Sequence, residues 1–330
     1  MPIRIAAIEV SHWHSLYDSA YLRHLSYMPE VQLVGLQDPN AGIAAKRAAA
    51  LGNPPIYTDY RQMLTETRAD FVVALGRHSV MAEVAHYLLD HGYPCLMEKP
   101  MGISAEQVRS IADKATATNG FIAVPLAQRY QPFAVHARRM LAEGRFGTVS
   151  HFYFRLNRPT SARYPAWDAP WMLDPAVAGG GCLRNLGPHG LDLFWYLTGE
   201  DACVMGAQLS WRALGQPVED YASVLLRSES GILGTIEVGN TFPGDGTDGE
   251  CKVAGRNAIL VLKDGTLRLI TTSGVETMPG QLEEPPALTA LRDALGHWQR
   301  GAAPPIGVQD CYRAVCLIDQ AYKMAGKPYG

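Results

Sequence analysis

The sequence predicts an α/β protein: an amino-terminal doubly wound parallel sheet of Rossmann type, followed by a second α/β domain with a mostly antiparallel sheet. Three observations carry this. At 330 residues the chain exceeds the roughly 100 to 200 residues of one typical domain, so two domains are expected. From residue 3 to about 125, short apolar runs alternate with longer stretches of helical period, the pattern of right-handed βαβ units. After about residue 145, longer strands joined by turn residues replace that pattern.

In the first domain the strands fall at Ile3–Val10, Val31–Gln37, Phe71–Leu75, Cys95–Met97 and Phe121–Val124. Each is a nearly continuous apolar run, as strands covered on both faces require. Helices lie between them: Ala41–Leu51 stopping at Gly52, Val80–Leu89 stopping before Gly92, and Ala105–Thr118 opened by Ser104 as N-cap. In the second domain His151–Asn157 alternates polar and apolar side chains, as does Gly231–Val238 less cleanly. Ala258–Leu262 and Thr266–Ile270 read as a hairpin turning at Asp264-Gly265, and Pro243–Gly249 as a loop. Helices Ala287–Arg300 and Val308–Met324 close the chain. The expected division is residues 1–125 and 126–330, with the closing helices free to pack back on the first domain.

Composition narrows the function. Hydrophobic residues at 47% and charged residues at 18% exclude a disordered chain, a collagen and a coiled coil. Lys plus Arg at 29 against Asp plus Glu at 32, a net charge of −3, offers no bulk attraction for nucleic acid or anionic lipid. No apolar run reaches the roughly 20 residues that span a bilayer, and the start lacks a signal peptide's apolar stretch, so no membrane partner and a cytoplasmic location are expected. The six cysteines contain no Cys-x-x-Cys pair, which fits buried thiols in a reducing compartment.

In an open parallel sheet ligands bind at the carboxyl ends of the strands, where strand order reverses. The first strand runs into Glu9-Val10-Ser11-His12-Trp13-His14, and Glu9, Ser11 and His14 occupy the three glycine positions of a dinucleotide fingerprint. Ser11, His12, Trp13 and His14 are the expected cofactor loop, with side-chain hydrogen bonds replacing close backbone approach. His-x-His also suggests a metal, but no carboxylate or third histidine stands nearby at ligand spacing, so no metal is expected. Asp38, ending the second strand, is placed to receive the adenosine ribose hydroxyls and to repel a 2′-phosphate, favouring NAD over NADP. Cys95–Met97 leads into Glu98-Lys99-Pro100, where proline holds Lys99 extended at the crevice edge, ready to exchange a proton with a substrate hydroxyl. Near Gly179-Gly180-Gly181, Pro188 suits the first turn of a helix with His189 at its N-terminus, where the dipole keeps the imidazole neutral and able to accept a proton. The three glycines imply close backbone approach to a ligand or another segment. Arg158, Arg163, Tyr164, Trp167 and Trp171 offer stacking faces and cation sites for a substrate, an anionic one included.

This set of residues resembles the family of glucose-fructose oxidoreductase, inositol dehydrogenase and the rhizopine-catabolism dehydrogenases, Gfo/Idh/MocA. Glu98-Lys99-Pro100, the Gly-Gly-Gly-x-Leu run with His189, and Asp38 carry the resemblance over nearly the whole chain. Tyr57-Thr-Asp-Tyr60, Gln128-Arg-Tyr-Gln-Pro132, Gly144-x-x-Gly147 and Gly301-x-x-Pro304 support it. It implies nicotinamide at the end of a Rossmann domain and a second domain with a large open sheet. It implies hydride transfer with a secondary alcohol of a sugar, cyclitol or related polyol, Lys99 and His189 handling the proton. It adds Arg129 and Glu98 to the candidate binding residues. Asn185 stands where the family has Asp, and would orient His189; Gly76-Arg77-His78 replaces Thr-Pro-Asn at the cofactor rim. Two alternatives stay open: a glycoside-cleaving enzyme that uses retained NAD for transient oxidation, and a non-catalytic nucleotide-binding sensor. A homodimer or homotetramer through the second sheet is expected, since His151, Tyr153, Arg155 and Asn157 share its polar face.

Overall fold

A computed structural model describes residues 1–280 and 282–326, which divide into two bodies. The first comprises residues 1–125, 162–179 and 287–312; the second comprises the described residues of 126–161, 180–286 and 313–326.

The first body contains β1 (Ile3–Ile8), α1 (Tyr21–Ser26), β2 (Val31–Gln37), α2 (Ala41–Ala49), β3 (Ile56–Tyr57), α3 (Tyr60–Thr67), β4 (Phe71–Ala74), α4 (Met81–Asp90), β5 (Cys95–Met97), α5 (Ala105–Thr118) and β6 (Ile122–Ala123). The strands form one parallel sheet in the order β3-β2-β1-β4-β5-β6, so the winding direction reverses between β1 and β4. That is the switch point of a dinucleotide fold. Caps fix the helix starts: the Ser104 hydroxyl accepts from the Gln107 amide, and Asn40 and Asp59 do the same for α2 and α3. Ile5, Leu36, Phe71, Val73 and Leu96 bury one face of the sheet, and Leu291 and Leu295 pack into the same core. β1 stops two residues short of the expected Val10, because Glu9 takes the left-handed conformation (φ 52°) and turns the chain.

In the second body α6 (Pro132–Ala142) precedes β7 (Val149–Asn157) and α9 (Cys182–Thr198); of the segment between β7 and α9, α7 (Thr160–Ala166) from residue 162 on and α8 (Pro175–Ala178) belong to the first body. Then come β8 (Ala202–Ser210), β9 (Tyr221–Ser228), β10 (Leu233–Gly239), β11 (Asp248–Gly255), β12 (Ala258–Lys263), β13 (Thr266–Thr271) and β14 (Gly274–Thr277). Finally α10 (Pro286–Gln299), which from Ala287 on belongs to the first body, and α11 (Val308–Met324) close the chain. The eight strands order as β14-β13-β12-β11-β7-β10-β9-β8, antiparallel except where β10 lies parallel to β7. Phe152 and Phe154 are buried with Phe194 and Leu197 of α9, while Tyr153 and Arg155 lie on the other face. The β12–β13 turn has positive φ at both Asp264 (50°) and Gly265 (72°), as the hairpin reading requires.

Helix α9 corrects one expectation. It starts at Cys182, so Pro188 lies inside it and His189 sits mid-helix rather than at an N-terminus. The polarising end of the helix dipole is therefore absent at His189. The start is set by a residue 36 to 38 positions away: the Glu219 carboxylate accepts the amides of Gly181 (2.8 Å) and Leu183 (2.9 Å). A further expectation fails at Cys203, which is exposed, whereas Cys95, Cys182, Cys251 and Cys311 are buried.

Candidate functional site

At the carboxyl ends of β1 and β5 the first body gathers most of the polar groups that the sequence singles out. The loop after β1 is folded inward: Ser11, His12, Trp13, His14 and Ser15 are all buried. Most of its amides are used within the chain. Glu9 and Val10 donate to Gln37, Ser11 to Asp38, and His12 to the Glu9 carbonyl. His14 donates to His12 Nδ1, Ser15 to the His12 carbonyl, and Leu16 and Tyr17 to that of Trp13. Glu9 in turn is paired with Arg77, whose guanidinium reaches its carboxylate at 2.7 Å and whose backbone amide donates to it at 2.7 Å. The Gly76-Arg77-His78 rim thus braces the loop.

Asp38 accepts the Ser11 amide at 2.7 Å on one oxygen and the Asn40 amide at 3.0 Å on the other. It is buried, so the acid at the end of β2 ties β2 to the β1 loop.

Glu98 and Lys99, at the end of β5, are buried as well. His14 Nδ1 lies 2.6 Å from Glu98 Oε1, and Glu98 Oε2 accepts the Lys99 amide at 2.9 Å. Burial alone would pull the His14 imidazolium below its ordinary range; the carboxylates of Glu98 and Asp18 outweigh it and raise the pKa. Burial works against the Glu98 carboxylate too, yet His14 beside it holds it well below the usual range. His12, buried and beside His14, is held low. The carboxylate missing from the local sequence around His-x-His is therefore supplied by Glu98, 84 residues on from His14, a pairing that only the parallel sheet creates.

The segment 162–179 packs on this loop. Trp13 contacts Tyr164 at 5.1 Å between ring centroids, Trp171 lies 5.9 Å from His12, and Tyr17 stacks on Trp167 at 5.5 Å. Tyr164 is buried in an apolar cluster with Trp13 and Met172. Fully buried Arg47 bolts the two segments together, donating to the carbonyls of Val10 (3.1 Å) and Trp167 (2.8 Å) and pairing with Asp168. No local pattern in α2 distinguishes Arg47 from an ordinary helix arginine. Arg163 lies over the Trp167 ring. His78 shares a hydrogen bond with the Ala178 carbonyl at 2.7 Å.

In the second body Asn185 and His189 lie one turn apart on α9, Asn185 buried and His189 half-buried. The glycines before them make close approaches to other segments. A Cβ on Gly180 (φ 141°) would stand 2.1 Å from the Tyr322 hydroxyl, and one on Gly181 would stand 2.3 Å from the Glu219 carbonyl. Tyr322 also donates to Glu219 at 2.7 Å. Burial raises the Glu219 pKa above the ordinary carboxylate value against the pull of these donors. Arg129 is held by Asp192 through one guanidinium edge, Nε donating to one carboxylate oxygen at 2.9 Å and Nη2 to the other, and its charge lies over the Tyr196 ring. The Arg158 amide donates to Gly239.

Residues 14–125 match the oxidoreductase family with the NAD-binding Rossmann fold, and residues 134–261 match the GFO/IDH/MocA C-terminal domain. The chain belongs to the Gfo/Idh/MocA family. It is 23% identical to a levoglucosan dehydrogenase of Pseudarthrobacter phenanthrenivorans over 61% of this chain and 57% of that enzyme, less than two thirds of its length. It is 25% identical to a scyllo-inositol 2-dehydrogenase (NAD(+)) of Bacillus subtilis over 73% of this chain and 68% of that enzyme. Its fold matches that of an Agrobacterium radiobacter oxidoreductase solved with NAD+, L-tartaric acid and magnesium, with a TM-score of 0.86 at 15% identity over 99% of this chain and 97% of that one. A levoglucosan dehydrogenase solved with NADH and levoglucosan matches with a TM-score of 0.84 at 19% identity, over 99% and 98%.

The residues present fit the family's dinucleotide at its adenosine end. Asp38 stands at the end of β2, and each of its oxygens keeps a lone pair after accepting one amide. The phosphate end is built differently, since most of the loop amides, those of Ser11, His12 and His14 among them, already donate inside the chain.

Proposed function

We propose that this protein is an NAD-dependent oxidoreductase that transfers a hydride between nicotinamide and a secondary alcohol of a sugar, cyclitol or related polyol. One observation carries the reading: Lys99 is buried at the carboxyl end of β5, two strands from β1 in a 3-2-1-4-5-6 sheet, with its backbone pinned by the Glu98 carboxylate. A lysine held there is positioned to exchange the hydroxyl proton while nicotinamide, when bound, supplies hydride chemistry. His189, oriented by Asn185, is the second proton-handling residue. The dehydrogenases among the relatives support the substrate class. Asp38 favours NAD over NADP by repelling a 2′-phosphate. With most loop amides engaged inside the chain, side chains take a share of the phosphates, and His12 and Arg77 are the candidates.

The test is a panel of cyclitols, aldoses and anhydrosugars incubated with NAD+, monitored by NADH absorbance, with Lys99→Ala as control. Turnover that survives in the variant removes Lys99 from the mechanism. Glycoside cleavage without NADH accumulation would instead favour the redox-assisted reading. The missing loop glycines and Asn185 motivate the non-catalytic sensor alternative, Lys99 and His189 argue against it, and nucleotide binding without turnover of any panel member would support it.

We also propose a homodimer or homotetramer through the open face of the second sheet. Tyr153, Arg155, Glu237 and Asp248 already form a hydrogen-bonded ladder there. Exposed Leu225 and Leu233 add apolar area. Light scattering at micromolar concentration tests it, a mass near 36.0 kDa being the contrary result. Among the described residues no helix is long and apolar enough to cross a membrane; a cytoplasmic location is part of the proposal.

A further inference from the structure

We propose that His12, His14 and Glu98 bind a divalent transition-metal cation of the zinc class at the carboxyl ends of β1 and β5. The inference goes beyond the oxidoreductase reading and does not rest on it. The three side chains offer two imidazole nitrogens and a carboxylate oxygen, all within 4.8 Å of one another, and all three residues are buried. Two histidines and a glutamate form a three-ligand set that zinc takes at sites with an open fourth position. Burying these groups together carries a desolvation cost that hydrogen bonds offset in part and a cation would offset further.

The surroundings have the form of a ligand shell. His14 Nδ1 faces Glu98 Oε1 at 2.6 Å, and its other nitrogen, Nε2, faces Asp18 Oδ2 at 3.5 Å. A histidine that ligates through one nitrogen ordinarily donates the other N–H to a carboxylate, which fixes the ring. Asp18 is that partner. Glu98 keeps its second oxygen on the Lys99 amide, so its first is the one available to a metal. Trp13, stacked on His12 at 3.9 Å, and Trp171 wall the cluster with aromatic surface.

On binding, the cation takes the place of the proton between His14 and Glu98, which leaves to solvent. With bonds of about 2.0–2.1 Å in tetrahedral geometry the two donor atoms separate to about 3.3 Å, a side-chain adjustment. His12 exchanges the 3.1 Å contact from the His14 amide for its metal bond. The bound cation would place a positive charge at a loop most of whose amides already donate inside the chain, with an open position for an anionic or hydroxyl oxygen.

The experiment uses the full chain, tag-free and stripped with chelator, dialysed against micromolar free zinc and analysed for metal content. One zinc per chain is expected. His14→Gln and Glu98→Gln should weaken binding by more than the roughly 10- to 100-fold that losing an outer partner costs. Cys203→Ser, which removes the exposed thiol, should leave it unchanged. A wild-type chain that holds no zinc overturns the proposal, as does binding that both cluster variants leave intact. If those variants do not fold, the cobalt form of the wild type decides. A d–d spectrum without a thiolate-to-cobalt band supports the cluster, and a thiolate band places the metal on cysteine and overturns it.

Discussion

Replacing Glu219 by Ala should destabilise the second body by removing the acceptor that anchors the start of α9. The carboxylate accepts three hydrogen bonds, from the amides of Gly181 and Leu183 and from the Tyr322 hydroxyl, and all four residues are buried. Removing it orphans three donors. Each unsatisfied buried donor costs about 1–3 kcal/mol, and release of a buried charge returns part of this, leaving a net loss of about 3–5 kcal/mol. For a unit of this size that lowers the melting midpoint by at least about 6 °C. Glu219→Gln is the milder case. Its amide oxygen can keep Leu183 and Tyr322 while its NH2 meets the Gly181 amide, so one bond is lost, about 1–3 kcal/mol. Thermal unfolding followed by near-ultraviolet circular dichroism provides the measurement. A midpoint for Glu219→Ala within about 2 °C of the wild type would refute the assignment of Glu219 as the anchor of this helix. Tyr322→Phe, combined with it, should be non-additive because both remove the same bond.

Further outcomes follow from the same geometry. The stability of the wild type relative to Glu219→Gln should fall as pH rises from the ordinary carboxylate value of about 4.3 through the raised native pKa, because the raised pKa favours the folded state only while the carboxyl is protonated; urea midpoints at a series of pH values give the sign, and a rising difference contradicts it. Trp13→Ala, emptying a buried ring from the aromatic cluster with Tyr164, should cost about 3–5 kcal/mol by thermal unfolding. Lys99→Ala should lower turnover by about 100-fold or more while NAD affinity and the melting midpoint stay near those of the wild type. Asn185→Asp should place a carboxylate one turn from His189, raise the imidazole pKa and move the pH profile of turnover; superimposed profiles would mean the two side chains do not interact.

The parallel sheet was legible because its strands are covered on both faces and read as apolar runs, and because Ser104 and the glycines at 52 and 92 punctuate the helices. β3, only two residues long, lacks enough sequence to carry a period. The start of α9 was misplaced for a physical reason: Pro188 is the residue type that opens helices, but the actual cap is an acid from another element, and no local pattern shows it. Lys99, Asp38 and the His-x-His loop were recognisable from their places at strand ends. Their partners were not, since Glu98 with His14 and Arg47 with Trp167 depend on contacts spanning 84 and 120 residues. The triple glycine signalled close approach correctly, and Tyr322 and Glu219 are what approaches.

The most direct test is isothermal titration of the intact chain with NAD+ and, separately, NADP+. Saturable binding of NAD+ at one site per chain, with NADP+ weaker because Asp38 meets its 2′-phosphate, is the expected result. Binding of neither nucleotide, or tighter binding of NADP+, would contradict the assignment of the β1–β2 crevice as an NAD site.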